Sequence, residues 1–310
     1  MAVAVHAPPT LSGQDLLSVD QLDRDRLTEL LDLADHLKRL QRERVPHRLL
    51  PGRTLAMIFQ KPSTRTRVSF EVGITQLGGT AVVLAAGDMQ LGRGETIEDT
   101  GLVLSRYVDG IMIRAAAHAQ VERLATAATV PVINGLTDIH HPCQALADVQ
   151  TLRERLGELD GRRLAWVGDG CNNVCHSLIA AAGMLGMQVT VATPLGFEPD
   201  PAVVAAAGNV VVTDDPVQAV AGADAIATDV WTSMGQEAER EQRIANLSPY
   251  QLNAELIGRC GGSPVVLHCL PAHYGEEITH DVLHGPLSAA WDEAENRLHA
   301  QKALMAMVMA

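Results

Sequence analysis

The sequence predicts an α/β protein of two domains, each a parallel sheet flanked by helices, the two being joined by interdomain helices. Three observations carry this. The chain has 310 residues, more than one domain typically holds. Short strands apolar on both faces alternate with helices, which is the pattern of parallel sheets covered on both sides. The alternation runs once, passes through a helix, and restarts at Arg163.

The elements follow in order. Leu22 to Leu40 reads as an amphipathic helix, with Leu27, Leu30, Leu31, Ala34 and Leu37 on one face. Thr54 to Phe59 is a strand. Thr64 to Leu77 is a helix opened by Ser63 and closed by Gly78-Gly79. Thr80 to Leu84 is a strand, Thr96 to Tyr107 a helix, Gly110 to Ile113 a strand, His118 to Ala127 a helix and Pro131 to Asn134 a strand. Pro142 to Leu156 is one helix. The second series has strands at Leu164 to Val167, Val189 to Ala192, Val210 to Thr213, Ala225 to Thr228 and Val265 to His268. Helices at Val174 to Leu185, Pro201 to Ala206 and Pro216 to Ala221 separate the first four, and a last helix runs from about Glu293 to Met309. The expected domains are 1–148 and 149–292, with the final helix 293–310 packing back on the first. Ser233 to Glu241, polar and charge-rich, reads as a mobile loop.

Composition narrows the function. A formal net charge of -13 disfavours nucleic-acid and anionic-membrane partners, which need clustered Lys and Arg. It leaves room for an anionic small substrate, which needs only a few local arginines. Five scattered cysteines (Cys143, Cys171, Cys175, Cys260 and Cys269) form neither a disulfide framework nor a zinc pattern. Met1 to Pro9 shows no charged leader or long apolar run, so the expected location is the cytoplasm.

In parallel α/β sheets, ligands bind beyond the carboxyl ends of the strands, so the residues there matter most. Gln60-Lys61-Pro62-Ser63-Thr64-Arg65-Thr66-Arg67 follows a strand and opens a helix. Its backbone N–H groups and dipole favour an anion, and arginines in a first turn oppose the dipole unless an anion is near. A plain N-cap is the alternative. Arg114 comes just after the strand Gly110 to Ile113 and could reach the same pocket. His140-His141-Pro142-Cys143-Gln144 could polarise a carbonyl oxygen or simply cap a helix. Two adjacent His side chains rarely point the same way, which disfavours a metal.

Gly168-Asp169-Gly170-Cys171-Asn172-Asn173 sits where a dinucleotide fingerprint would lie, but Asn173 stands in place of the third glycine. Its Asn pair offers amides to a polar substrate or serves the turn. Asp229 could pair with a substrate ammonium or cap a turn. His268-Cys269-Leu270-Pro271 ends the last sheet strand. Arg297, read alone, lies on a solvated helix face.

Taken in order, Ser-Thr-Arg-Thr-Arg, His-Pro-Cys-Gln, Asp-x-x-x-Ser-Met-Gly and His-Cys-Leu-Pro resemble the aspartate/ornithine carbamoyltransferase family over nearly the whole chain. The Ser-Met-Gly loop and His-Cys-Leu-Pro are similar to the members that use ornithine. The resemblance implies a first domain binding carbamoyl phosphate and a second binding ornithine. The implied reaction carbamoylates the δ-amine of L-ornithine, giving citrulline and phosphate in arginine metabolism, whether to make arginine (arginine biosynthesis) or to degrade it. It assigns Ser63, Thr64, Arg65, Thr66 and Arg114 to the phosphate, His141 and Gln144 to the carbamoyl group, and Arg297 to a further contact with carbamoyl phosphate. It assigns Asn173, Asp229, Ser233 and Met234 to ornithine, and Cys269 and Leu270 to the reaction centre. The catalytic set would be Arg65, Arg114, His141, Asp229 and Cys269.

Gln90 resembles a residue given to a neighbouring subunit's site, implying a homotrimer or an assembly of trimers. No cofactor or metal is implied, since carbamoyl phosphate is already activated. Closure of the Ser233 loop and of the domains would exclude water. Gln60 and Tyr274 depart from the family pattern, where an acidic residue and an Arg are frequent. The rival readings are a relative with another amine acceptor, such as putrescine, an NAD-dependent dehydrogenase, and a binding protein without turnover.

Overall fold

A computed structural model describes residues 9–85, 87, 89–91, 94–232 and 237–310. The chain divides into two units, Met1–Ala147 with Asn296–Ala310, and Asp148–Glu295.

The first unit contains α1 (Arg24–Arg42), β1 (Thr54–Phe59), α2 (Thr64–Gln76), β2 (Thr80–Ala85), α3 (Ile97–Leu104), β3 (Gly110–Arg114), α4 (His118–Ala127) and β4 (Val132–Leu136). Its four-stranded sheet is parallel throughout, in the order β2-β1-β3-β4. Ala56, Ile58, Ile111 and Ile113 pack with Val121 and Leu124 of α4. The division falls inside α5 (Pro142–Leu156).

The second unit contains β5 (Arg163–Val167), α6 (Asn173–Met184), β6 (Gln188–Ala192), α7 (Pro201–Ala207), β7 (Val210–Thr213), α8 (Pro216–Val220), β8 (Ala225–Thr228), α9 (Arg240–Leu247), α10 (Ala254–Gly258), β9 (Val265–His268) and α11 (His280–Leu283). Its parallel sheet runs β7-β6-β5-β8-β9. Order reverses between β5 and β8, so the loops after β5, β8 and β9 gather at the switch point. The second division falls inside α12 (Ala290–Val308).

The fold class is the one the sequence predicts. The strands differ from expectation only by a residue or two at their ends, because each is an unbroken apolar run, buried on both faces in the inner strands and partly exposed in the edge strands β2 and β7. Three short helices, α9, α10 and α11, were not expected. Each has eight residues or fewer, too short for periodicity to separate from a polar loop. For α9 this is a correction: residues 237–241 of the expected mobile loop are a 3₁₀ turn running into that helix. Among the described residues no helix is long and apolar enough to cross a membrane.

One glycine sets the position of α2. A Cβ at Gly73 would stand 2.9 Å from Met305 Cε and 3.2 Å from Lys302 Cγ. A side chain there would make Met305 and Lys302 shift, so the glycine eases the close approach of α12 to α2. That approach brings Arg297 to the first turn of α2, where its Nη2 donates to Thr66 Oγ1 at 3.3 Å.

Candidate functional site

The first unit gathers cations around one helix start. Ser63 is the N-cap of α2, in extended backbone conformation, and its Oγ accepts from Thr66 N at 3.3 Å. Its hydroxyl hydrogen is left to donate outward. The first turn holds no acidic residue, so no carboxylate within it neutralises the dipole end. Thr64 is exposed, Ser63 and Arg65 are half-buried and Thr66 is buried.

Arg114 closes β3 and is buried. The β3–β4 register shifts between Ile113 and Arg114, and such an irregularity re-aims a side chain at a strand end. Arg297, read from sequence as solvated, is also buried. Its Nη1 donates to Gln144 Oε1 at 2.7 Å, tying α12 to α5 over 153 residues of chain.

His141 lies at the centre of this group. Burial holds its imidazole well below the usual histidine range, and the charges of Arg297, Arg114 and Arg65 push it further the same way. Three guanidinium groups from three elements therefore act on one neutral ring. A ring kept neutral still offers one N–H donor to an oxyanion, and the arginines supply the charge. His140 turns the other way and sets its ring edge-on to His118 at 4.8 Å. The adjacent histidines diverge, as their spacing suggested. Burial also pushes the Cys143 thiol up to about 12, so this cysteine is a core residue.

A consequence follows for pH. A histidine with a lowered pKa contributes stability that is present above the unfolded value of 6.5 and is lost as pH falls below it. Site-resolved ¹⁵N/¹³C spectra are expected to show His141 as a single neutral tautomer from pH 8 down to about pH 6. Half-protonation near 6.5 would contradict the burial and charge argument.

In the second unit, three neighbouring strands deliver one cluster. Asp229 follows β8, Cys269 follows β9 and Asn172 lies beyond β5. Asn172 Nδ2 donates to Asp229 Oδ2 at 2.8 Å, and Cys269 Sγ donates to Asp229 Oδ1 at 2.9 Å. Asn172 Oδ1 meanwhile caps α6 by accepting from Val174 N at 2.7 Å. One amide thus locks the carboxylate to the helix start. Burial, with the negative charge of Asp229 next, pushes the Cys269 thiol well above its ordinary range. Cys269 is a donor here, and its thiolate is suppressed.

The segment after β9 is pinned from below. His268 Nδ1 accepts from Leu270 N at 2.9 Å, which leaves Nε2–H to donate to Glu277 Oε1 at 3.0 Å. His268 N donates to Glu293 Oε2 at 2.9 Å. Burial and the neighbouring Asp148 push the Glu293 carboxyl well up. This framework holds Leu270 at φ 58°, a conformation rare for a branched residue. Asp229, His268 and Cys269 lie close enough to consider a metal, with ligand atoms within 4.8 Å of one another. Both ring nitrogens of His268 are already engaged and Cys269 is held as a thiol, so this trio is poorly suited to one.

Arg243 of α9 braces the same region. Its Nε donates to Trp231 O at 2.6 Å, its Nη2 pairs with Asp169, and its guanidinium lies 5.0 Å from the Phe197 ring centroid. Burial still holds Asp169 up at about 6. In the turn after β5, Gly170 does not offer its backbone N–H to a pyrophosphate. Gly170 N is taken by Thr193 Oγ1 at 3.2 Å, and a Cβ at Gly170 would stand 2.6 Å from Phe197 O. Gly168 makes the turn at φ 131°.

Of the residues singled out from sequence, Ser63, Arg65, Thr66, Arg114, His141, Gln144 and Arg297 converge in the first unit, with Thr64 beside them on the helix start. Asp229 and Cys269 converge in the second, with Leu270 next along the chain. Asn173 is the first residue of α6 and half-buried. Gln90 is exposed beyond β2. Ser233 and Met234 lie outside the described residues. The resemblance gives Asn173 to ornithine and gives its neighbour Asn172 no role, yet Asn172 is the residue hydrogen-bonded to Asp229. An Asn at an N-cap position before Val174 was the available signal. Arg243 gave no local signal.

Family models match both units by sequence. Residues 14–154 match the carbamoyl-P binding domain of aspartate/ornithine carbamoyltransferase, and residues 160–308 match its Asp/Orn binding domain. The chain is 55% identical over 308 residues to an ornithine carbamoyltransferase of Thermococcus kodakarensis, covering 97% of this chain and 98% of that one. It is 54% identical to an anabolic ornithine carbamoyltransferase of Pyrococcus furiosus, covering 97% and 98%. The solved ornithine carbamoyltransferase of Pyrococcus furiosus superposes with a TM-score of 0.93 at 53% identity, covering 98% and 99%.

Proposed function

This chain belongs to the aspartate/ornithine carbamoyltransferase family, and from that premise we propose that it transfers the carbamoyl group of carbamoyl phosphate to the δ-amine of L-ornithine, forming L-citrulline and phosphate. The observation that carries the reading is the set of three guanidiniums, Arg65, Arg114 and Arg297, around a neutral His141 at the start of α2. That group suits a doubly charged phosphate with an adjoining carbonyl. The acceptor is read from the names of the relatives and from Ser233-Met234-Gly235.

Ser63, Thr64, Arg65, Thr66 and Arg114 hold the phosphate. His141, Gln144 and Arg297 hold the carbamoyl end, with Cys269 and Leu270. Asn173, Asp229, Ser233 and Met234 bind ornithine. The neutral δ-amine attacks the carbonyl carbon, and Arg65, Arg114 and His141 stabilise the oxyanion. The C–O bond to phosphate then breaks, and the proton lost by the amine goes to the departing phosphate. Cys269, as a thiol, orients Asp229 and takes no part as a nucleophile. Holding both substrates in line supplies much of the rate. The activated donor makes a metal or cofactor unnecessary. Gln90 reaches a neighbouring subunit's site in a trimer, and the enzyme serves arginine biosynthesis in the cytoplasm.

Citrulline is expected from carbamoyl phosphate and L-ornithine, with kcat/KM about 10³-fold or more above that for putrescine, which leaves the α-carboxylate partners unpaired. Equal rates with the two amines would defeat the acceptor assignment. Mass in solution tests the trimer.

A further inference from the structure

We propose that Gln301 is a positioning residue that aims Arg297 into the site while leaving its charge available to the ligand. Gln301 is fully buried on α12, one turn beyond Arg297. Its neighbours decide how its amide is turned. With the oxygen toward Arg297, that oxygen accepts from Nη2 at 2.9 Å and Nε at 3.1 Å, and the nitrogen donates to Ser69 Oγ and to Arg297 O at 3.2 Å. The opposite orientation would set nitrogen against donors and oxygen against acceptors.

The link continues into the helix that carries the phosphate residues. Ser69 Oγ donates to Arg65 O at 2.7 Å and lies 3.3 Å from Thr66 O. Arg297 itself donates to Thr66 Oγ1 and Gln144 Oε1. A closed ring therefore runs from Gln301 through Ser69 to the first turn of α2, and back through Arg297. Two hydrogen bonds to the one Gln301 oxygen fix the guanidinium plane, which a single hydrogen bond would leave free to swivel.

The residue type matters as much as the position. A carboxylate at 301 would hold the same guanidinium at least as firmly, through a charge-assisted fork. It would also neutralise Arg297 where an anion needs it. An amide supplies the acceptor without the charge. Gln301 thus tunes the affinity of the carbamoyl phosphate subsite, and this inference rests on the assignment of Arg297 to that ligand.

The test uses Gln301→Leu, Gln301→Glu and, as a control, Arg297→Gln, with steady-state constants for both substrates, inhibition by inorganic phosphate, and Tm. Both Gln301 variants are expected to raise the KM for carbamoyl phosphate and the phosphate inhibition constant by about 10- to 100-fold. The KM for ornithine should stay near its original value. Gln301→Glu keeps the guanidinium held but loses the donor to Ser69 Oγ and Arg297 O, so some loss of Tm is expected and the phosphate constants carry the test. A purely structural role would lower Tm and leave the phosphate constants unmoved in Gln301→Glu, and that pattern overturns the proposal. If Arg297→Gln weakens carbamoyl phosphate while Gln301→Glu does not, the inference fails and the site reading stands. If Arg297→Gln changes nothing, the assignment of Arg297 fails and the inference goes with it.

Discussion

Arg65→Ala is expected to lower kcat/KM for carbamoyl phosphate by about 10³-fold, equivalent to about 4 kcal/mol of transition-state stabilisation. Arg65 lies in the first turn of α2, where a positive side chain opposes the helix dipole. Its removal should therefore leave Tm unchanged or slightly higher. Such an effect marks the residue as one kept for a ligand. Both kcat and KM should change, because the same phosphate is bound in the ground state and leaves in the reaction. The substitution also removes one of the charges that depress His141, so that imidazole should titrate at higher pH in the variant. Normal turnover with normal carbamoyl phosphate KM would remove Arg65 from the site.

Asp229→Asn should act on the other substrate. The carboxylate accepts from Asn172 on one oxygen and from Cys269 on the other. An amide of the same shape must turn its NH₂ toward one of these two donors, which breaks one hydrogen bond and removes the charge. The expected loss is about 10²- to 10³-fold in kcat/KM for ornithine, with some loss of Tm. The inhibition constant of inorganic phosphate should hold, since its residues lie in the first unit. An unchanged ornithine KM would show that Asp229 serves only to tie the loops after β5, β8 and β9 together.

Much of the fold was legible because its signals are local. The strands are short apolar runs, and Ser63 caps α2 with a side chain that the sequence displays. The short helices α9 to α11 were not legible. They are too short to show a period, and they are fixed by distant contacts such as Arg243 with Asp169. Asp169 lies 74 positions away along the chain, beyond any window of periodicity.

By itself, the sequence determined the alternation of strands and helices, the fold class, and the placing of polar motifs at strand ends. Each depends on spacing within a few residues. Only the tertiary structure decided which of those polar groups face one another. It buried Arg297, which sequence left on a solvated face, against Gln144 and Thr66 from 153 and 231 positions away. It set Asn172 on Asp229, and it surrounded His141 with three cations. Burial and Coulomb fields depend on distance in space, and a sequence records distance only along the chain.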